Sequence, residues 1–342
     1  MLTSFHTYKN DKWGNTVHSK TWIVLLESET MPVDSLMSSK QPEQEVKRPP
    51  LQIVWRNVVL MATLHISAIY GIYILPQAKL YTLVWTLVLY WLSCIGITAG
   101  AHRLWSHRSY KAKLPLRILL ALLNSLAFQN DVIEWTRDHR VHHKYSETDA
   151  DPHNAKRGFF FAHIGWLMVR KHPDVKKKGQ QLDLSDVLAD PVLRFQRKFY
   201  FPSVVLLCFT IPTLVPVIIW KENAMTAYII CALLRYCCVL NATWFVNSAA
   251  HLWGMRPYDV NINPAENSMV ATVAMGEGFH NYHHTFPQDY STAEFKWFLN
   301  MSTLFIDFFA ILGLAYDRKV MPKYLVEKRR ERTGDKSELT RQ

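Results

Sequence analysis

The sequence predicts an all-α membrane protein: four transmembrane helices in two hairpins, with a histidine-rich polar part gathered on one side of the bilayer. Three observations predict it. Four apolar stretches come close to the roughly 20 residues that a helix needs to cross a bilayer. Each pair of stretches is joined by only three or four residues, and eight of the fifteen histidines stand in three clusters outside them. Hydrophobic residues make up 49% of the 342 and aromatics 13%, with polar segments segregated from apolar ones, which favours one membrane-embedded unit over two soluble domains.

The formal charge of +11 does not point to nucleic acid, because the basic residues form no stripe beside stacking aromatics. They sit between and after the apolar runs, a placement that sets topology and attracts anionic lipid or an acidic substrate. The five cysteines fall in or near apolar runs, where a free thiol acts as a small hydrophobe. Neither a disulfide framework nor zinc-finger spacing is present, so any metal must be held by histidine.

Residues 1–50 are polar, with Pro49 and Pro50 at their end and one short apolar run, Trp22 to Leu26. That run is shorter than the roughly 7–15 residues of a signal-peptide core, so the segment reads as a disordered cytosolic arm. Residues 58–75 and 80–98 are the first two spans; so short a link as Gln77 to Lys79 forces an antiparallel hairpin. His65, alone in the first span, reads as a packed, hydrogen-bonded residue. Residues 99–198 carry 18 Lys or Arg against 10 Asp or Glu and are assigned to the cytosol by the positive-inside rule. Within them, Leu114 to Phe128 and Phe159 to Val169 are apolar but too short to span, and suit helices at the membrane surface or buried against the cytosolic part.

Residues 200–220 and 224–245 form the second hairpin, turning at Lys221, Glu222 and Asn223. Pro202, Pro212 and Pro216 predict kinks, which membrane helices tolerate. Arg235, near the middle of the fourth span, must face protein or water: it contacts either the active part or a structural ion pair or carbonyl. From Asn247 onward the chain is cytosolic again. Met301 to Tyr316 is short and interrupted by Asp307, and a fifth crossing would carry the basic end over the membrane, so it reads as a peripheral or buried helix. The charged end from 318 to 342 reads as a solvated cytosolic tail.

The histidine clusters are His102 and His107 in HRLWSH, His139, His142 and His143 in HRVHH, and His280, His283 and His284 in HNYHH. Positions i, i+3 and i+4 share a helix face, so the second and third clusters are each expected to aim three imidazoles at one point. His102 and His107 lie about 140° apart on an α-helix and converge only if the helix ends or bends between them. One buried histidine is usually just hydrogen-bonded; three clusters packed without a ligand would suffer desolvation and mutual repulsion. Neutral imidazole is the commonest metal ligand, and eight exceed the needs of one ion, so two metals are expected. All-histidine ligation suits iron and oxygen chemistry better than structural zinc, although spacing does not choose between the metals. Glu147, Asp149, Asp151 and Glu277 stand near the clusters and are candidates to orient the imidazoles or to cap loops.

WRN at 55–57, GITAGAHRLWSHR at 96–108, NDVIEWTRDHRVHHKYSETDADPHN at 130–154, VRKHP at 169–173, NATWFVNSAAHLWG at 241–254 and GEGFHNYHH at 276–284 resemble, in order, the motifs of the membrane-bound acyl-CoA desaturases of the stearoyl-CoA type, a fatty acid desaturase family. The resemblance covers residues 51–317. It implies four transmembrane helices capped by a helical cytosolic domain, built from 99–198 and 247–317, that holds a dimetal centre used as di-iron. It implies His251 as a ninth histidine ligand, which spacing does not select, and Asn247 as a ligand through water. The implied reaction inserts a cis double bond, at the 9 position of a C16–C18 chain, into a saturated fatty acyl-CoA. It uses O2 and electrons from NADH passed through cytochrome b5 reductase and cytochrome b5; with no HPGG stretch in the chain, that donor is expected to be separate. By the same resemblance Gln129, Trp135 and Thr243 occupy the bend of a substrate tunnel, Tyr90 closes its far end, and Arg137, Asp138, Arg170 and Lys171, with Arg56 and Asn57 as further candidates, contact the CoA moiety. The protein is then expected in the endoplasmic reticulum membrane, with both termini and the active site cytosolic. A desaturase of other regiochemistry, such as delta-11, or a di-iron lipid hydroxylase is the near alternative. A histidine-rich metal transporter would place its ligands inside the spans, where these clusters are not.

Overall fold

The computed structural model describes residues 50–294 and 299–337; the amino-terminal arm expected to be disordered lies outside the described residues. Among the described residues four helices are long and apolar enough to cross a bilayer: α1 (Trp55–Gln77), α2 (Leu80–Ser106), the pair α3 (Leu114–Ala127) and α4 (Val132–Tyr145) being bent by 82° instead, then α5 (Tyr200–Trp220) and α6 (Ala224–Leu252). The two hairpins expected from the sequence are both present. Their turns are clasped together: the Lys79 backbone N–H and Thr82 Oγ1 donate to the buried Glu222 carboxylate at 2.9 and 2.6 Å, and Lys79 Nζ donates to the carbonyls of Trp220 and Lys221.

The prolines of α5 act through the carbonyls they release. Proline has no N–H to return to the residue four positions earlier. Pro212 thereby frees the Cys208 carbonyl, which accepts from Arg235 Nη2 at 2.7 Å; Pro216 frees the Pro212 carbonyl, which accepts from Trp85 Nε1 at 3.2 Å. A π-helical stretch, Val205–Thr210, takes up the remaining irregularity. Arg235 is 1% exposed and also donates to Ser93 Oγ and the carbonyls of Leu126 and Cys231. Of its two expected roles the carbonyl contact is the one observed. His65 is the packed, bonded residue expected, against the Met61 carbonyl and Asn241.

Spans two and four run beyond their apolar stretches, to Ser106 and Leu252 rather than to about 98 and 245. Their extra turns are buried in protein, so the helix continues after hydrophobicity ends. Gly96 allows this: a Cβ there would sit 2.3 Å from the Leu123 carbonyl carbon, and only glycine lets α2 cross so close to the α3 backbone. The bend after α3 is made by Phe128 in the left-handed region (φ 51°), and α4 restarts on an Asp131 cap that accepts from the N–H groups of Ile133 and Glu134. α3 buries Leu116, Leu120 and Leu123 and exposes Leu114, Ile118 and Leu122.

A short helix, α7 (His280–Thr285), carries the third histidine cluster, and α8 (Met301–Ile311) is the short peripheral helix expected in that region. Strand β1 (Lys111–Ala112) pairs antiparallel with β2 (Ala315–Tyr316), fastening the start of α3 to the end of α8. The chain end departs from the solvated tail expected. Lys323–Thr333 is a helix, α9, that buries Val326 against Tyr258, Tyr282 and Phe286. Arg329 pairs with Asp259 and Arg330 with Glu294. Basic side chains with carboxylate partners in distant loops look like a solvated face in sequence.

Candidate metal centre

The first cluster converges because the end of α2 is not α-helical. Gly96–Ser106 is a π-helix, and the His107 N–H donates to the His102 carbonyl at 3.1 Å, five residues back. A turn closed at i+5 stacks residues that an α-helix would splay. The two rings lie 4.8 Å apart.

The other two clusters do not each aim at one point, as the spacing suggested; each divides two to one. His139 and His143 join His102, His107 and His283 in a group of five, whereas His142 joins His251, His280 and His284 in a group of four. The reason is angular. On an α-helix i and i+4 are about 40° apart while i+3 lies about 60° to the other side, so the i, i+4 pairs stay together and the middle histidine crosses to the other group. α4 and α7 exchange one histidine each in this way.

The nitrogens in each group face one another. Nε2–Nε2 separations are 2.9 Å for His102–His283, 2.8 Å for His107–His139 and 3.0 Å for His143–His283. In the second group they are 3.0 Å for His251–His280 and 3.1 Å for His280–His284. Each ring nitrogen can donate or accept one hydrogen bond, so five buried nitrogens closing on one point cannot all be satisfied by one another; a cation satisfies them together. Metal–nitrogen bonds of about 2.1 Å put neighbouring ligand atoms about 3.0 Å apart at right angles and about 3.4 Å apart in a tetrahedron. The observed spacing matches the right-angled arrangement of a five- or six-coordinate ion, so both groups fit a metal.

Carboxylates fix which nitrogen points inward. Glu277 lies 2.9 Å from His102 Nδ1, Asp151 2.9 Å from His142 Nδ1 and Glu147 2.7 Å from His251 Nδ1. Asp151 and Glu147 accept a hydrogen bond from the Nδ1–H of their histidines, and Glu277 Oε2 stands in ion-pair range of His102 Nδ1. With the proton kept on Nδ1 the Nε2 lone pair is free, so three of the four nearby acids face the outer nitrogen of a clustered histidine. Burial, followed by the charges of neighbouring imidazoles and arginines, holds His107, His139, His143, His283 and His284 well below the ordinary histidine range. They are neutral near pH 7, the state a ligand requires. Burial would raise the Asp151 carboxyl, but the charge and hydrogen bond of His142 outweigh it and hold Asp151 below its usual value.

A cavity of about 350 Å³ runs inward from Arg56 and Asn57 past Gln129 to His139. Trp135, His139, Thr243 and Asn247 line both it and a smaller space of about 50 Å³ that reaches His102, His142 and His280. Gln129 Nε2 donates to Thr243 Oγ1 at 3.0 Å across this passage, and Trp135 stacks on His139 at 4.8 Å. Beyond lies an apolar cavity of about 520 Å³ walled by Tyr90, whose hydroxyl donates to the Val273 carbonyl at 2.6 Å.

The sequence signature described as "Fatty acid desaturase" matches residues 79–293. This chain belongs to the fatty acid desaturase family. It is 57% identical over 304 residues to the stearoyl-CoA desaturase of Capra hircus, covering 89% of this chain and 85% of that protein. It is 60% identical over 306 residues to an acyl-CoA desaturase of Cyprinus carpio, covering 89% and 94%. With stearoyl-CoA desaturase 5 of Homo sapiens it shares 61% identity over 297 residues, 86% of this chain and 90% of that one.

In this desaturase Arg56, Asn57 and Asp138 line the cavity of about 350 Å³, and Arg137 and Lys171 adjoin it through Asp138. Asp138, 6% exposed, accepts from Arg137 Nη2 at 2.9 Å and pairs with Lys171, while Arg137 also reaches Glu134 at 3.1 Å. Arg170, next to Lys171 in the chain, is exposed, its backbone N–H donating to the Gln52 carbonyl. Asn57 Nδ2 donates to the Leu167 carbonyl at 2.8 Å, and Arg56 Nε to Asn57 Oδ1 at 3.3 Å. His251, which spacing does not select, joins the four-histidine group, and Asn247 lines the space beside it. Sequence reasoning missed His153, which lines the mouth cavity and stands 4.0 Å from Asp151; the DPH spacing that puts it two residues after that acid was the available signal.

Proposed function

We propose that this chain is an oxygen-dependent acyl-CoA desaturase that inserts a cis double bond at the 9 position of a saturated C16–C18 acyl-CoA. The observation that carries the reading is the pairing of two convergent imidazole groups with a cavity that passes both of them. His102, His107, His139, His143 and His283 would hold one iron; His142, His251, His280, His284 and, through water, Asn247 would hold the other. The bound irons would supply the power to activate O2 against an unactivated methylene, which offers no acidic proton for a base to remove. Overall, the chain loses two hydrogens, and O2 with two further electrons and two protons leaves as two waters.

The protein's share is binding, orientation and exclusion of water. Arg137, Lys171 and Arg170, with Asp138 fixing the first two and Arg56 and Asn57 across the mouth, would take the phosphates of CoA. The hydrogen-bonded Gln129 and Thr243, with Trp135 against His139, would bend the acyl chain where it passes the metal groups. Tyr90 would stop its methyl end. Electrons would come from NADH through cytochrome b5 reductase and cytochrome b5. The excess of basic residues in 99–198 supports a cytosolic site and cytosolic termini, consistent with a multi-pass protein of the endoplasmic reticulum membrane in which 51–317 form the desaturase domain, residues 1–50 a cytosolic arm and 318–342 a basic cytosolic end.

The test is the fatty-acid profile of desaturase-deficient yeast expressing the chain, with double bonds located by mass spectrometry. New cis-9 monounsaturated chains, lost in His142→Ala, are expected. Bonds at another position would move the regiochemistry, hydroxylated chains would move the reading to a lipid hydroxylase, and no product from well-expressed protein across a range of chains would overturn it.

A further inference from the structure

Arg103, one residue beyond a ligand, has no exposed surface and no contact with the cavity, yet it joins three segments. Its Nε and Nη2 donate to Glu277 Oε1 at 3.0 and 2.8 Å. Nη2 also donates to Asn300 Oδ1 at 3.2 Å, and Nη1 to Thr303 Oγ1 at 2.9 Å and to the carbonyls of Tyr290 and Ser291. The other Glu277 oxygen is the one 2.9 Å from His102 Nδ1. The carboxylate therefore has one oxygen clamped by the guanidinium and the other aimed at a ligand. Arg103 and His102 belong to α2, Glu277 to the segment leading into α7, and α7 carries His283, whose Nε2 is 2.9 Å from that of His102. The bridge thus spans the same two elements whose nitrogens must meet.

Two local features are shaped around it. Gly276 sits at φ 106°, and a Cβ there would meet Asn300 Oδ1 at 2.5 Å, so glycine lets Asn300 close over the Glu277 segment and reach Arg103. Asn300 Oδ1 also accepts from the Thr303 N–H at the start of α8, placing the Thr303 hydroxyl in range. A buried ion pair adds little stability over apolar packing of the same volume, so stability alone does not account for so complete a set of donors.

We infer that Arg103 is a positioning residue for the five-histidine group: by clamping Glu277 between α2, α7 and α8 it fixes the His102 imidazole opposite His283. The inference rests on the two-metal reading above and deepens it. Its effect is selective, because no described carboxylate of the four-histidine group bonds to Arg103; Glu147 and Asp151 serve His251 and His142 independently.

The test is an equilibrium titration of the metal-stripped, detergent-solubilised full chain with Co2+, followed by absorbance. The parent chain is expected to bind two ions, and His251→Ala identifies the four-histidine event. Arg103→Lys keeps the charge but cannot grip one oxygen with two nitrogens. It should weaken the five-histidine event about 10- to 100-fold, the usual effect of losing a group that orients a ligand, and leave the other event within about threefold. Should Arg103→Lys not fold, Thr303→Val, which removes one of its anchors, should weaken the same event to a lesser degree. Equal weakening of both events, or of neither, by a folded variant would overturn the inference while leaving the two-metal reading intact. Fewer than two Co2+ bound by the parent chain would instead overturn that reading.

Discussion

Tyr90 lines an apolar cavity of about 520 Å³ and packs with Cys94 and Ile97, which line the space of about 50 Å³ beside the histidines. If it is the stop for the acyl chain, Tyr90→Ala removes the ring that separates the two and lets a longer chain run on. The far cavity is much larger than two methylenes, so room does not limit the gain; transfer from water does. Each buried methylene contributes about 0.8 kcal/mol, so two give about 1.6 kcal/mol, or about 15-fold at about 1.4 kcal/mol per decade. The expected result is a rise of about that size in kcat/KM for a C20 substrate relative to C18. Tyr90→Phe, which loses only the hydrogen bond to Val273, should keep the parent preference. The assay is competitive desaturation of mixed C16, C18 and C20 acyl-CoA in microsomes, with thermal unfolding run alongside to confirm that each variant is folded. An unchanged C20 to C18 ratio in folded Tyr90→Ala would refute the assignment of Tyr90 as the end of the passage.

Three further predictions follow from the geometry. Asp151→Ala removes the acceptor on His142 Nδ1 and should weaken iron at the four-histidine group about 10- to 100-fold, read by competition with a chelator. The lowered histidines set a pH dependence: folded, they resist protonation, and unfolded, they take up protons near the ordinary value of about 6.5, so the unfolded state binds more protons below that pH. The metal-free chain should therefore be most stable above about pH 6.5 and its Tm should fall as the pH drops below it; a Tm that rose on acidification would contradict the burial of neutral imidazoles. Arg235→Met strands the Cys208 carbonyl that Pro212 leaves open, costing about 1–3 kcal/mol for that group alone. Adding Pro212→Ala returns a backbone N–H and should recover about 1 kcal/mol in a double-mutant cycle measured by denaturation in detergent.

The four spans were legible because crossing a bilayer imposes a length and a composition that no other element shares. Their far ends were not, since α2 and α6 continue on burial by protein, which hydropathy does not register; the turns that carry His102 and His251 were the ones lost to view. The histidine clusters declared a metal, but not how it is shared. His142 and His283 cross to the opposite groups for a reason of 60° in helical phase, visible only once two helices are set face to face. His102 and His107 needed a π-helix, whose preference over an α-helix no local motif announces. His251 stands alone in its segment, so only the resemblance to known desaturases picked it out. Arg103 and the residues of α9 share the same difficulty: a cation in sequence reveals nothing of the carboxylate that awaits it more than a hundred residues away, or seventy in the case of Arg329 and Asp259.

The measurement that bears most directly on the central claim is the iron content of the full chain purified from iron-supplied cells, by mass spectrometry of the metal against protein concentration. Two convergent imidazole groups predict two irons per chain, falling to one when His251→Ala opens the four-histidine group. One metal per chain in the parent protein, or zinc retained in place of iron in an active preparation, would contradict the account.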